Sequence, residues 1–325
     1  RDCLLSRGLG DVYKRQMYLQ KYNTFYIIVV YKKQWRKDMD SIRLKARAKI
    51  NLGLDVLGKR DDGYHEVRMI MQTVGIYDRI IIKKIPEDEI RINSNLFFLP
   101  VNENNLIYKA ARMMKDEYNI KEGVEIDLNK FIPVAAGMAG GSTDAASTLF
   151  GMNKIFDLGI SQSKLMEMGL KIGADVPYCI MRGTALAEGI GEKLTRLTPM
   201  PHCWLIVAKP PINVSTKLVY ESLDMGGISK HPDIDGIMDA IKRGDVEGVA
   251  QKMGNVLEDV TIPLYPVIDS IKKQMLKNGA IGAMMSGSGP TVFGIFPDEQ
   301  TALGCQAVLK AQGEARQVYI TETFN

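Results

Sequence analysis

Histidine and cysteine are scarce in this 325-residue chain, with three of the first and four of the second. Cys3, Cys179, Cys203 and Cys305 form no CxxC pair and stand at no metal spacing from His65, His202 or His231. That excludes a zinc framework and a disulfide scaffold, and it fits a reducing, cytoplasmic setting with structural cysteines. Long apolar runs are missing as well. Phe25 to Val30 is too short to cross a bilayer and lacks the small-residue cleavage pattern of a signal peptide, so no membrane role is expected. Neither GxxxxGKS/T nor GxGxxG occurs, which disfavours P-loop and dinucleotide-binding folds.

A strong charge of one sign is also absent from most of the chain. The formal net charge is +4, but residues 1–38 hold 9 Lys and Arg against 3 Asp. The remaining 287 residues hold 33 Lys and Arg against 35 Asp and Glu, a net of −2, so no nucleic-acid partner is expected. Residues 1–38 show neither strand alternation nor a helical stripe. We expect them to be a non-native or disordered leader, with Met39 the true start.

What is present is a mixture of strand and helix patterns. Arg43 to Leu57 reads as extended, and a polar Gly58 to Gly63 cluster supplies a turn before a second strand-like run, Ile80 to Ile85. Asn104 and Asn105 precede Leu106, Ile107, Ala110, Ala111, Met114 and Tyr118, which predicts a capped helix. Val124, Ile126 and Leu128 alternate with acidic residues as in a half-exposed strand. Further helices are expected from about Asp144 and over Ser163 to Ile172, with strands near Thr184 to Ala187.

Two prolines, Pro199 and Pro201, break the pattern, and Trp204 to Ala208 opens a new strand. We place a domain boundary there, giving residues 39–199 and 200–325. The second part predicts helices over Asp235 to Met253 and Pro266 to Lys277, the latter closed by Gly279, then a strand Thr291 to Phe296, a helix, and a strand near Val318 to Ile320. Without regular βαβ alternation, the class expected is α+β in two layers.

The strongest local signal runs from Pro133 through Ala135, Ala136, Gly137, Met138, Ala139, Gly140, Gly141, Ser142 and Thr143 to Asp144. Glycines let backbone approach a ligand. Ser142, Thr143 and Asp144 are cap-type residues, and a loop feeding a helix N-terminus presents free N–H groups suited to phosphate. Taken alone, such a loop is equally a tight turn.

This segment resembles the phosphate loop of the GHMP kinases. Ala48-Lys49-Ile50-Asn51-Leu52 is similar to the strand that opens that family, and Ser286-Gly287-Ser288-Gly289 to its late glycine-rich loop. Arg60-Asp61-Asp62-Gly63-Tyr64-His65 and Gly173-Ala174-Asp175-Val176-Pro177-Tyr178 resemble the diphosphocytidyl-methylerythritol kinases within it. Arg47, Ala139 and Thr143 stand where those kinases more often have Pro, Gly and Ser.

The resemblance implies a two-domain fold, with an N-terminal domain like domain 2 of ribosomal protein S5 and a ferredoxin-like C-terminal domain. It implies ATP and Mg²⁺ as cofactors, phosphorylation of the 2-hydroxyl of 4-diphosphocytidyl-2-C-methyl-D-erythritol, and a monomer or homodimer. By the same resemblance, Asp175 accepts the hydroxyl proton beside Lys49. An Asp/Lys pair taken alone is more often an ordinary salt bridge. Ser142 or Thr143 is the candidate metal contact. His65 would read the cytosine edge and Tyr220 would stack on the ring, with Tyr64, Asn51, Thr216, Gly287, Ser288 and Gly289 as further substrate contacts. His202 and His231 receive no role. The competing readings are a GHMP kinase for homoserine, mevalonate or a sugar, and a noncatalytic nucleotide or RNA binder.

Overall fold

The computed structural model describes residues 40–228 and 230–325, so the expectation for residues 1–38 lies outside the described residues. Two sheets organise the chain. The first is built on a long hairpin, β1 (Ser41–Lys59) and β2 (His65–Ile85), paired antiparallel. Strands β3 (Ile90–Ser94), β4 (Gly123–Asn129), β5 (Thr184–Gly189) and β6 (Lys193–Arg196) complete it in the order β3-β4-β2-β5-β6, with β1 on the other side of β2. The length of β2 allows this, because β4 pairs with its C-terminal part and β5 with its N-terminal part. The run expected at Ile80 to Ile85 is therefore only the far end of one 21-residue strand.

Alternation along β2 buries Ile76, Asp78, Ile80 and Ile82 on one face. Helices cover that face: α1 (Leu106–Glu117), capped by the Asn105 side chain, α2 (Gly140–Ile155), α3 (Gln162–Leu170) and α4 (Val176–Met181). Leu149 and Met152 of α2 and Ile107 and Met114 of α1 share one core with Ile80, Ile82 and Ile126. Helix α2 begins four residues before the expected Asp144. Its N-cap is Ala139 in a left-handed conformation, and Ser142, Thr143 and Asp144 lie inside the helix rather than capping it.

The second sheet contains β7 (Trp204–Lys209), β8 (Gly282–Met285), β9 (Val292–Phe296) and β10 (Gln317–Glu322) in the order β10-β7-β9-β8. That is the strand order of a ferredoxin-like sheet, all antiparallel. Between β7 and β8 run α5 (Thr216–Glu221), α6 (Ile234–Arg243), α7 (Val246–Lys252), α8 (Glu258–Leu264) and α9 (Val267–Lys277); α10 (Glu299–Gln312) precedes β10. The single helix expected over Asp235 to Met253 is two, because Gly244 takes a left-handed φ of 74° and Asp245 caps a new helix through its side chain.

The boundary proposed at 199/200 falls between the last strand of the first sheet and the first strand of the second. A second apolar cluster crosses it, packing Ala48, Ile50, Leu52 and Val74 against Leu205, Val207, Phe293 and Ile295.

Candidate active site

One cavity of about 960 Å³ opens beside this shared core. The register of β1 on β2 shifts between Arg47 and Lys49 and again between Asn51 and Gly53. Such bulges re-aim side chains. Here Lys49 and Asn51 share a face, and Lys49 Nζ donates to Asn51 Oδ1 at 2.9 Å. Asp175 enters from the N-terminal end of α4, where the helix dipole favours an anion. Its Oδ2 lies 3.8 Å from Lys49 Nζ, with Lys49 buried and Asp175 about one-third exposed. Tyr178 secures α4 on β2, its hydroxyl meeting Thr73 Oγ1 at 2.9 Å and donating to the Gly183 carbonyl at 2.6 Å.

The loop from Pro133 to Gly141 forms the next wall. Pro133, Ala135, Ala136, Gly137, Ala139, Gly140, Gly141 and Ser142 line the cavity. Ala135, Gly137 and Ala139 hold φ of 51°, 68° and 55°, a left-handed geometry that costs the two alanines strain. Gly137 is required for a different reason. A Cβ there would stand 2.2 Å from the Ser286 carbonyl oxygen, because the late glycine loop presses directly on this one. Ser286 Oγ also donates to the Gly137 carbonyl at 3.0 Å.

Opposite lie Tyr64, His65, Thr216, Tyr220, Gly287 and Ser288. The turn before β2 closes through Arg60 N–H to the Tyr64 carbonyl, 2.8 Å, and sets His65 at the start of the strand. The His65 and Tyr220 ring centroids are 5.2 Å apart and tilted by 40°. Partial burial, with Lys59 adding to it, lowers the His65 pKa, so the ring is neutral at pH 7 and keeps one donor and one acceptor nitrogen. Burial holds the Tyr220 phenol protonated. Thr216 and Ser288 hydroxyls meet at 2.8 Å.

Four expected residues do not line the cavity. Asn51 is fully buried and positions Lys49; Met138 is buried, with its carbonyl accepting the Lys49 N–H at 3.2 Å. Thr143 is buried beside the Cys179 thiol, which leaves Ser142 as the hydroxyl on the wall. Gly289 packs on Met285. Cys179, Cys203 and Cys305 are buried free thiols, and His202 and His231 pair with Glu322 and Asp55 away from the cavity.

Sequence reasoning missed a buried ion cluster beneath the Pro133 to Gly141 loop. Lys130 Nζ donates to Asp78 Oδ2 at 2.5 Å and to Asp144 Oδ2 at 2.8 Å, while Asp78 Oδ1 accepts the N–H groups of Phe131 and Ile132. Asp144 Oδ1 is buried without a partner among the described residues. Burial pushes the Asp144 carboxyl well above the usual carboxylate range; Lys130 opposes that and Asp78 adds to it. A carboxylate on the apolar face of β2 is the signal that points to this cluster.

With this geometry in place, likeness to known proteins becomes informative. Residues 105–183 match the GHMP kinases N-terminal domain and residues 237–315 the GHMP kinases C-terminal domain. A 4-diphosphocytidyl-2-C-methyl-D-erythritol kinase of Lachnospira eligens is 71% identical over 286 residues, covering 88% of this chain and 99% of that one. The Clostridium perfringens protein of that name is 52% identical over 284 residues, covering 87% of this chain and 99% of that one. The crystal structure of a 4-(cytidine 5'-diphospho)-2C-methyl-D-erythritol kinase superposes with a TM-score of 0.76 at 29% identity, over 87% of this chain and all of that one. Homoserine kinase from Cytophaga hutchinsonii shares the fold at 20% identity and a TM-score of 0.70, over 88% of this chain and 96% of that one. The chain belongs to the 4-diphosphocytidyl-2-C-methyl-D-erythritol kinase family of the GHMP kinases.

Proposed function

We propose that this protein transfers the γ-phosphoryl group of ATP to the 2-hydroxyl of 4-diphosphocytidyl-2-C-methyl-D-erythritol, a step of non-mevalonate isoprenoid synthesis. The observation that carries this reading is one cavity holding the phosphate loop, the Lys49 and Asp175 pair, and the His65 and Tyr220 pair. The acceptor oxygen bonds to phosphorus as the bond to the ADP oxygen breaks, and the hydroxyl proton passes to Asp175. Lys49, held by Asn51, supplies positive charge to the transferring oxygens. Backbone N–H groups at the start of α2 and around Gly137 cradle the nucleotide phosphates. His65 has both hydrogen-bond types that a cytosine edge requires, and Tyr220 has the flat face.

Ser142 fits a hard divalent cation, since its hydroxyl lines the cavity wall and has no side-chain partner among the described residues. Mg²⁺ needs few protein oxygens when phosphates and water complete its shell. When bound, it neutralises charge on the nucleotide phosphates. No helix among the described residues is long and apolar enough to cross a membrane. We place the enzyme in the cytoplasm.

The test is ADP release with Mg²⁺ATP and each acceptor in turn. Turnover with the diphosphocytidyl alcohol and none with homoserine or mevalonate is the expected result. Turnover with homoserine or mevalonate alone would overturn the acceptor, and none with any alcohol would favour a noncatalytic binder.

A further inference from the structure

The late glycine loop is the common wall of the two halves of the cavity. Ser286 Oγ reaches the Gly137 carbonyl of the phosphate loop, and Ser288 Oγ meets Thr216 at the start of the helix that carries Tyr220. The loop is buried and its side chains are small, so its backbone groups need partners within the protein.

Ser286 N–H donates to the Thr291 carbonyl and Gly289 N–H to the Ser286 carbonyl within the loop; further partners come from one segment behind it, outside the cavity. Asn255 Nδ2 donates to the Met285 carbonyl at 2.9 Å and to the Gly287 carbonyl at 2.8 Å. Glu258 Oε1 accepts the Met285 N–H at 2.7 Å, and Thr261 Oγ1 donates to the Ser288 carbonyl at 3.4 Å. Glu258 and Thr261 lie three residues apart on α8, and Asn255 stands in the turn that leads into it, its carbonyl accepting the Glu258 N–H at 3.0 Å. Asn255 is the centre of the arrangement. It is buried at 7% exposure, and its Oδ1 accepts the Leu257 N–H, so both donors and the acceptor are used. Its neighbours tie it to the strand of Lys49 as well, with Leu54 N–H donating to the Gly254 carbonyl at 2.9 Å and Val256 N–H to the Leu54 carbonyl at 3.1 Å.

We propose that Asn255 is a positioning residue for phosphoryl transfer, setting the 286–289 loop so that the nucleotide side and the acceptor side of the cavity are in register. Asn255 does not line the cavity. One of its donor bonds holds the Gly287 carbonyl and the other that of Met285, and a Cβ added at Gly287, φ 58°, would stand 3.3 Å from the Gly137 carbonyl oxygen. The acceptor half of this inference rests on the function proposed above. The nucleotide half rests on it only for the seating of ATP at the 133–141 loop.

Asn255→Asp keeps the shape and replaces the two donors with a carboxylate facing two carbonyl oxygens. Calorimetric titration with a nonhydrolysable ATP analogue at 10 °C, on folded protein, should show the analogue bound at least tenfold more weakly than by wild type. The KM of the acceptor should rise with it, and kcat should change less than either. Part of the loss should return as the pH is lowered from 8 to 6, because a protonated carboxyl donates to one of the two carbonyls. Ser286→Ala, which removes only the bridge to Gly137, should weaken the analogue severalfold and leave the melting temperature close to wild type. A lowered melting temperature with unchanged analogue affinity in Asn255→Asp would overturn the proposal. If that variant does not fold, wild-type affinity in Ser286→Ala would overturn it. Because analogue binding is read without any acceptor, loss of the acceptor assignment leaves this outcome readable.

Discussion

Lys49 Nζ is closer to Asn51 Oδ1, at 2.9 Å, than to Asp175 Oδ2, at 3.8 Å. The amide oxygen holds the ammonium in place on β1, and the carboxylate stands just beyond contact from a different element. A phosphoryl oxygen can therefore meet Lys49 without the lysine having to leave a tight ion pair, whose rupture would oppose transfer. Asn51→Ala should lower kcat by about tenfold through loss of that placement, with nucleotide affinity within about threefold of wild type. Steady-state kinetics with both substrates varied will check this.

The ion cluster under the Pro133 to Gly141 loop sets two carboxylates against one ammonium. Lys130→Met leaves two buried acids without their cation and should cost about 3–5 kcal/mol of unfolding free energy. Asp144→Asn keeps an acceptor for Lys130 and removes the surplus acid, so its stability should stay within about 1 kcal/mol of wild type. Urea denaturation of the two variants, side by side, gives the comparison.

Much of this architecture is legible in the sequence, because strands and helices announce themselves by period. The Asn105 cap, the β4 alternation and the β7 start all fall where the pattern puts them. What escaped depends on contacts distant in the chain. Helix α2 starts early because the loop before it is held by Ser286, 149 residues away, and no local cap marks that start. The Asp78, Lys130 and Asp144 cluster assembles three separate elements, and Asn255 acts on a loop 30 residues on. The candidate site was legible by resemblance for Lys49, Asp175 and His65, which line one cavity; spacing alone did not show that Asn51 and Met138 support Lys49 from behind.

Ala139 sits in the left-handed region at φ 55° as the N-cap of α2. Such a residue costs about 1–2 kcal/mol, and glycine removes that strain while adding about 0.5–1 kcal/mol of chain entropy to lose. Ala139→Gly should raise stability by about 0.5–1 kcal/mol, read from the shift in denaturant midpoint at unchanged slope.

His65 has its pKa lowered by burial and by Lys59. The neutral ring, which both donates and accepts, therefore persists through pH 7 and is lost only below the usual histidine range, about pH 6.5. Acceptor kcat/KM should be level from pH 7 to 8 and fall only below the usual histidine range, and His65→Ala should raise acceptor KM by about tenfold and abolish the acid limb. A pH series on both proteins decides it.

Burial raises the thiol pKa of Cys203 to about 12 and of Cys305 to about 11, and pushes Cys179 higher still. Native protein treated with iodoacetamide at pH 8 should leave Cys179 and Cys203 unmodified, with both labelled after unfolding in urea. Peptide mass mapping reads the difference.

The most direct test of the central claim is the steady-state rate of ADP release with 4-diphosphocytidyl-2-C-methyl-D-erythritol by wild type and by Asp175→Asn. If Asp175 takes the acceptor proton in this cavity, kcat falls by about a hundredfold or more while the acceptor KM stays within about threefold. An Asp175→Asn enzyme with wild-type kcat would contradict the account.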